Sequence, residues 1–559
     1  MHELKPKLFS VMKHYSKDQF IKDLISGIIV AIIALPLSIA LAIASGVGPE
    51  KGLYTAIIAG FCISFFGGSR VQIGGPTAAF VVIIYGIIAD HGVDGLIVAT
   101  IMAGIFMIIL GICRAGNLIK FIPYTITTGF TAGIAVTIAV GQLKDFLGID
   151  MGALPSEFLE KVVAIGKNIT KFNWVALVIG ASALLIQIFW PKLMSLLPEK
   201  LKYVKAIPGS LIAIIVTTVV VNCFDLDVLT IGKLNYDLSA KFPGISIPNV
   251  SFGLIKDLIS PALTIAILAS IESLLSAVVA DGMIGSKHRS NAELVGQGIG
   301  NIMSGLFGGI PATGAIARTA ANIKNGGRTP IAGIVHSVVL LAILLLLMPY
   351  ASWIPMPTLA AILIIVAYNM AGIQNCIRLC KRSPKSDILV FLLTFVLTVF
   401  FDLVVAIEVC MIVAAALFMK RAAETNEIKS WKNTFDRDNS EENLRNKVVP
   451  ENTTVYEICG PMFFGMTDKF MNIVPEKGKN VIIIRMRGVP SLDGSALQSL
   501  YEIHEKCKKE NITLIFSHVN EQPMKVMRKS KFDKEVGRDN FCANIDEALA
   551  RAASLAENN

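Results

Sequence analysis

Two ionisable residues stand inside otherwise apolar sequence, and they set the chemistry to look for. Glu272 lies within ASIESLLSAVVADGM, far from both ends of an apolar run. A carboxyl group at that depth must be protonated, paired or exposed in a water-filled cavity, which makes it a proton-coupling candidate. Ser276, one helical turn further on, shares its face. Arg318 ends the segment MSGLFGGIPATGAIAR, about one turn into a short helix that opens at Thr313, Gly314 and Ala315. An intramembrane arginine suits an anionic ligand; the structural alternative is a buried pair with a carboxylate such as Glu272.

The segment before Arg318 has a counterpart earlier in the chain. ISFFGGSRVQIGGPTAAF and MSGLFGGIPATGAIAR share a Phe-Gly-Gly, then a proline, then small residues that open a short helix. Paired short segments interrupted by Gly and Pro are the sequence pointer to a transporter's binding site; the plainer reading is two Gly-rich loops, which membrane helices tolerate. A half-helix that starts at mid-membrane exposes unpaired N–H groups and about +0.5 charge. Two such ends, near Thr77–Ala78 and Thr313–Ala315, carry about +1 together, and their small residues let an anion reach the backbone. His336, Glu408 and Asp402 are weaker candidates, more in keeping with packing or helix ends. Pro36 is expected to kink the first helix, so that Leu37 and Leu41 wall the cavity.

These residues need a membrane framework, and the composition supplies one. Hydrophobic residues make up 53% of the 559 and charged residues only 17%, too little polar surface for a soluble fold. Apolar runs fall near 24–45, 52–67, 94–112, 123–143, 173–190, 207–223, 257–280, 293–308, 331–348, 356–371, 386–401 and 402–420. With the short segments 76–90 and 313–324 they make about fourteen membrane elements. Seven per half, an odd number, inverts the second half relative to the first. The net charge of +9 sits in short loops, which argues for the positive-inside rule and against nucleic acid. Arg114, Lys120, Lys192, Lys200, Lys202, Lys205, Lys287, Arg289, Lys324, Arg328, Arg378, Lys381, Arg382 and Lys385 fall on one side. Asp90, Asp94, Asp225, Asp227 and Asp237 fall on the other, so both termini are expected in the cytoplasm.

The chain therefore divides into a cytoplasmic N-terminal segment (1–22), a transmembrane domain (23–421), a charged linker (422–447) and a soluble domain (448–559). The N-terminal segment, basic and without a cleavage site, reads as a helix on the inner surface. In the tail, TTVYEICG, NVIIIRMRG and ITLIFSHV read as strands, and Asp493 caps the helix of SLDGSALQSLYEIHEKCKK. Alternating strands and helices imply a small α/β domain without a nucleotide fingerprint. The nine cysteines form no C-x-x-C pair or Cys/His cluster, so neither metal nor cofactor is expected.

PLSIALAIASGVGPEKGLY, FFGGSRVQIGGPTAAF, SIESLLSAVVADGM and NAELVGQGIGNIMSGLFGGIPATGAIARTAAN, in that order, resemble the SulP (sulfate permease) anion-transporter family. The tail resembles that family's STAS domain. Within the family, IESLL, NAELVGQG and ATGAIARTAAN are most similar to the bacterial aerobic C4-dicarboxylate transporters. The resemblance implies a seven-plus-seven inverted repeat of core and gate domains, an elevator-like motion, a homodimer in the bacterial inner membrane, and no enzymatic activity. It places the anion between Thr77–Ala78 and Thr313–Arg318. Family members that carry bicarbonate with sodium tend to have Asp where this chain has Glu272 and a hydroxyl where it has Ile316, so sodium coupling is disfavoured. The tail's loop reads Asp493-Gly494-Ser495-Ala496, which leaves Asp493 and Ser495 as candidate regulatory residues and the domain as a docking point for a cytosolic protein. The expected function is proton-coupled symport of C4-dicarboxylates such as succinate, fumarate or aspartate, with sulfate or bicarbonate as the alternative. A neutral nucleobase permease and a non-transporting channel or sensor are the competing classes.

Overall fold

The computed structural model describes residues 4–117, 123–152, 154–155, 157–196, 207–234, 236, 240–242, 244–245, 248–401, 403–425, 427–430, 449–463 and 479–557. Lys120, Lys200, Lys202, Lys205, Asp237, Asp402 and most of the charged linker, including 432–447, lie outside them. The chain forms two compact units, Met1–Ile412 and Val413–Asn559.

The first unit is helical. A short helix α1 (Lys7–Val11) precedes α2 (Lys17–Ala44), whose N-terminus is capped by the Ser16 hydroxyl accepting from the Gln19 N–H. The sequence boundary at residue 22 thus falls inside a helix. Next come α3 (Pro49–Phe66), strand β1 (Gly74–Gly75), a single 3-10 turn Ala78–Phe80, and α4 (Val81–Ile112). Gly92, at φ 65° and ψ −165°, breaks α4 into the short segment and the spanning helix expected from the sequence; only glycine adopts that conformation readily. The first half closes with α5 (Tyr124–Leu147), α6 (Phe158–Asn168), α7 (Trp174–Ser195) and α8 (Gly209–Cys223).

The second half repeats the plan with α9 (Phe252–Ile284), α10 (Ser290–Leu306), β2 (Thr313–Gly314), α11 (Ile316–Lys324), α12 (Ile331–Leu347), α13 (Met356–Ala371), α14 (Ile373–Arg382), α15 (Lys385–Phe400) and α16 (Leu403–Thr425). Counting α4 as two pieces and leaving out α1 and the amphipathic α6 and α14, fourteen membrane segments stand among the described residues. Among the described residues, seven helical stretches are long and apolar enough by length and composition to cross a bilayer.

Packing sorts the helices into two groups. α2, α3, α4, α9, α10, α11 and α12 pack on one another, and α5, α7, α8, α13 and α15 form a second set. Glycine makes the first group tight. A Cβ on Gly104 of α4 would lie 2.6 Å from the Gly298 carbonyl of α10, and one on Gly298 would lie 2.5 Å from the Gly104 carbonyl. Close backbone approach of this kind holds helices together where lipid removes the hydrophobic drive. Leu346, Ile412 and Phe418 are about 70% exposed, as side chains facing lipid should be.

The second unit is a five-stranded sheet ordered β3 (Glu427–Ser430), β4 (Thr453–Cys459), β5 (Val481–Gly488), β6 (Thr513–Ser517), β7 (Phe541–Cys542). β3 runs antiparallel to β4 and all other neighbours are parallel. Val481–Ile484 is buried on both faces, Ile482 and Ile484 against Leu500 and Phe532, Ile483 against Ala548 and Leu549. A parallel strand covered on both sides reads as an unbroken apolar run, as this one does. The linker reading of 422–447 is corrected here: residues 422–425 end α16, and 427–430 form the sheet's edge strand. Four residues with two charges gave no alternation to recognise.

Candidate functional site

The site is assembled on two connecting segments that enter the helical unit from its two halves. β1 and β2 pair antiparallel, Gly74 opposite Gly314 and Gly75 opposite Thr313. Strand backbone away from water must be satisfied by protein, and side chains do so along both segments. Asn322 donates to the Val71 carbonyl at 2.9 Å, and the Ile73 N–H donates to the Thr319 hydroxyl at 3.1 Å. Asn301 clamps Ala312, accepting from its N–H at 2.8 Å and donating to its carbonyl at 2.9 Å. Thr55 accepts from the Ile310 N–H at 2.7 Å.

A helix begins immediately after each strand. Thr77 is extended (φ −127°, ψ 158°) and Ala78 opens the first helical turn. Ala315 (φ −90°, ψ 113°) is the cap of α11. The first N–H groups of both helices lack intrahelical acceptors by geometry; the small side chains of Ala78, Ala79, Ala315 and Ala317 add little bulk around them, with Ala78 and Ala79 buried and Ala315 and Ala317 accessible.

α9 runs beside both ends. Thr313 donates to the Ala269 carbonyl at 2.8 Å, Thr77 donates to the Glu272 carboxylate at 3.1 Å, and Ser276 donates to Thr319 at 3.4 Å. Residues 269, 272 and 276 lie on one helical face. Thr77, Glu272 and Ala315 are half-buried, and Ile316 is 44% exposed. Arg318 is 1% exposed; its Nη2 donates to the Pro76 carbonyl at 2.6 Å, while Nε and Nη1 are buried without a hydrogen-bond partner.

These contacts correct several expectations. Arg318 and Glu272 were candidates for one open cavity or for a mutual ion pair. Glu272 instead binds Thr77, and Arg318 reaches behind β1, where its planar fork is sequestered. The Thr313 side chain is fully buried and its hydroxyl is committed to α9, so only the backbone near it is free for a ligand. Leu41 is 1% exposed and belongs to the apolar core that also holds Ala78, Ala79 and Phe80; Leu37 is partly buried against that core. Leu41 is thus a core residue and not a wall of an open cavity, and α2 is one helix with Pro36 inside it. His336 is fully buried in α12, and Glu408 is exposed on α16. In the second unit Asp493 accepts the Ala496 N–H at 2.8 Å as a helix cap, and Ser495 is exposed beside it on helix α17 (Gly494–Lys509).

Sequence reasoning missed Glu293. It is fully buried in the first turn of α10, yet it accepts four hydrogen bonds: Gly68 N–H at 2.8 Å, Ser69 N–H at 2.9 Å, Ser273 at 3.1 Å and Gln297 at 2.9 Å. It therefore anchors the segment that leads into β1. The signal was present: Glu293, Gln297 and Asn301 follow at intervals of four, a polar stripe on one helical face. Asp23 plays a similar part at the start of α2, accepting from Tyr15, Gln19 and the Arg328 N–H.

The sulfate permease family profile matches residues 20–394, and the STAS domain profile matches residues 445–548. The chain belongs to the sulfate permease family. A putative sulfate transporter of Bacillus subtilis, YvdB, is 39% identical over 539 residues, covering 96% of this chain and 98% of that protein. The bicarbonate transporter BicA of a Picosynechococcus strain is 31% identical, covering 95% and 94%. Among solved structures, SLC26A9 superposes with a TM-score of 0.87 at 18% identity over 99% of this chain and 93% of that one, a likeness of fold. The transmembrane domain of a cyanobacterial BicA gives 0.62 at 29% identity, covering 71% of this chain and 98% of that one. The protein is thus a multi-pass membrane protein of a transporter family with a C-terminal STAS domain. These relatives are named for sulfate and bicarbonate, and none of them carries the expected kinship with C4-dicarboxylate transporters.

Proposed function

We propose that the protein carries small inorganic oxyanions, sulfate or bicarbonate ahead of C4-dicarboxylates, across the plasma membrane between the first turns of the two half-helices. The carrying observation is the two-residue ladder of β1 and β2, from whose ends the two helices start. Two helix ends contribute about +1 and Arg318 a further charge, held close by its bond to Pro76. Oxyanions accept hydrogen bonds all round, which suits backbone donors with no shaped pocket of side chains. The names of the relatives point the same way.

Glu272 is the proposed proton-coupling group. Its bond to Thr77 ties the carboxyl group to the residue that opens the first half-helix, so its protonation and the anion's presence act on the same turn. The proposal includes an elevator motion of the α2–α4 and α9–α12 group against the other helices, a homodimer, and both termini in the cytoplasm. A nucleobase permease has no use for the charge of Arg318. The test is uptake into liposomes of labelled sulfate, bicarbonate, succinate and uracil under an imposed proton gradient. Accumulation of an oxyanion supports the reading; accumulation of uracil alone, or of nothing with well-folded protein, overturns it.

A further inference from the structure

A second cluster of cations lies where α1 meets the end of α3 and the α9–α10 connection. The Lys7 N–H donates to the Gly67 carbonyl at 2.9 Å and its Nζ to the Lys287 carbonyl at 2.7 Å. Arg289 Nη1 donates to the Lys5 carbonyl at 2.8 Å, and the Arg289 N–H to the Gly68 carbonyl at 3.0 Å. Arg70 follows Gly68 and Ser69 on the same segment, its positive charge acts on Lys7, and its Nε is buried with no hydrogen-bond partner. Lys5 and Lys287 are exposed. Among the described residues none of these five is in an ion pair, and Lys7 and Arg289 spend their donors on carbonyls.

Asp281 acts on the charge of Lys7, and its carboxylate is already taken. It accepts from the Ser286 hydroxyl at 2.9 Å and the His288 N–H at 2.7 Å, and lies 2.8 Å from the His288 ring Nδ1. Burial first, then the charges of Arg289 and Arg70, lower the pKa of Lys7 below the usual lysine value, and Asp281 offsets only part of this. Among the described residues no carboxylate is ion-paired with the cluster: Asp281 is held by Ser286 and His288, and the neighbouring Glu293 by Gly68, Ser69, Ser273 and Gln297.

An apolar strip adjoins it. Phe9 of α1 meets Phe65 edge-on at 6.0 Å, and Phe61 stacks on Phe65 at 5.9 Å. Phe9 is 47% exposed, Met12 45% and Phe61 39%. Uncompensated cations beside exposed aromatic rings at a helix end match a ligand with an anionic head and a hydrocarbon tail. We infer that this corner binds the phosphate of an anionic phospholipid, with Lys7, Arg70, Lys287 and Arg289 around the headgroup and the Phe9–Phe65–Phe61 strip along the acyl chain. The lipid fastens α1 over Gly67 and Gly68, where the segment to β1 begins.

The test uses the full-length protein in detergent, measuring thermal unfolding with added phosphatidylglycerol, with phosphatidylcholine of the same chains, and with soluble glycerol 3-phosphate. Phosphatidylglycerol is expected to raise the melting temperature, and the other two are not. Lys287→Gln alters an exposed ammonium whose backbone, not side chain, holds Lys7, so the fold is retained. It should demand about fivefold more phosphatidylglycerol for the same shift, one surface cation's share, and Arg70→Gln should do likewise. An equal response to phosphatidylcholine overturns the proposal, and so does full reproduction by glycerol 3-phosphate, which would assign the cations to a soluble phosphate ester. Should both variants misfold, high salt on the wild type decides: a phosphatidylglycerol shift that salt leaves intact also overturns it.

Discussion

Arg318 Nη2 donates to the carbonyl of Pro76 at 2.6 Å, joining the second half-helix to the residue just before the first. A charge carried by one half of the repeat is thereby held at the mouth of the other. Arg318→Ala should weaken oxyanion binding by about 1–2 kcal/mol, the through-space worth of one charge at an effective dielectric near 20, since its guanidinium is bonded to Pro76 and not to the ligand. Lysine should restore part of it, since it keeps the charge and loses the planar fork. Equilibrium binding of labelled anion to both variants checks this; unchanged affinity in Arg318→Ala would leave the arginine a purely structural role.

The same arginine makes a demand on Gly75. That residue has φ +155°, and a Cβ there would collide with Arg318 Nη1. Gly75→Ala should cost about 1–3 kcal/mol in backbone strain and also push the guanidinium away from Pro76. The expected outcome is a lower melting temperature together with weaker anion binding. At Gly314 a Cβ would meet the end of the Gln72 side chain, so Gly314→Ala should disturb Gln72 and leave Arg318 in place. Equal losses of anion affinity in the two variants would contradict this assignment.

Glu293 tests whether the approach to β1 needs anchoring. Replacing the carboxylate with an amide turns one acceptor into a donor among four donors. Glu293→Gln should therefore lose at least one charged hydrogen bond, about 1.5–3 kcal/mol. Thermal unfolding is the measurement, beside anion binding, and both should fall although Glu293 touches no ligand. A variant as stable as wild type would show that Gly68 and Ser69 are held by packing alone.

Much of this architecture was legible in the residues, and the parts that were not share a physical reason. The paired Phe-Gly-Gly segments announced the half-helices because small residues and proline are what a broken intramembrane helix requires. Glu272 was visible because a carboxylate in an apolar run has few explanations. The direction in which a side chain turns was not legible. Arg318 and Thr313 lie on the expected segments, but their partners, Pro76 and Ala269, are distant in sequence and present only carbonyls, which every residue has. Strand β3 and the amphipathic α6 and α14 escaped because none is an apolar run. Glu293 escaped because its polar stripe resembles the solvated face of a soluble helix.

The STAS unit offers an independent check of its own packing. Burial pushes the Cys507 thiol up to about 11, and its side chain lies in the core with Leu500 and Phe516. At pH 8 the thiolate fraction falls to about one in a thousand, against about one in four for an ordinary thiol. Iodoacetamide should label the exposed Cys459 and spare Cys507 until denaturant is added, as mass spectrometry of the digested protein would show. Prompt labelling of Cys507 at pH 8 would mean that the sheet and α17 do not pack as described.

Proton coupling follows from the charges gathered at the two half-helix ends. Two helix ends at about +0.5 each and Arg318 give about +2, the complement of a dianion such as sulfate. An ionised Glu272 lowers this to about +1, the complement of bicarbonate. Sulfate should therefore bind best when Glu272 carries a proton, and the proton should bind best when sulfate is present, by the reciprocity that governs two linked ligands. Bicarbonate, with half the charge, gains about half as much from that proton. Sulfate affinity should therefore rise more steeply as pH falls than bicarbonate affinity corrected for its own ionisation. Glu272→Gln mimics the protonated carboxyl, so it should bind sulfate with little pH dependence, fail to accumulate it under a proton gradient, and still exchange it. Binding at two pH values beside uptake into liposomes distinguishes these outcomes. Proton-driven sulfate accumulation surviving in Glu272→Gln would show that the proton travels by another group, with the buried His336 of α12 next to be replaced.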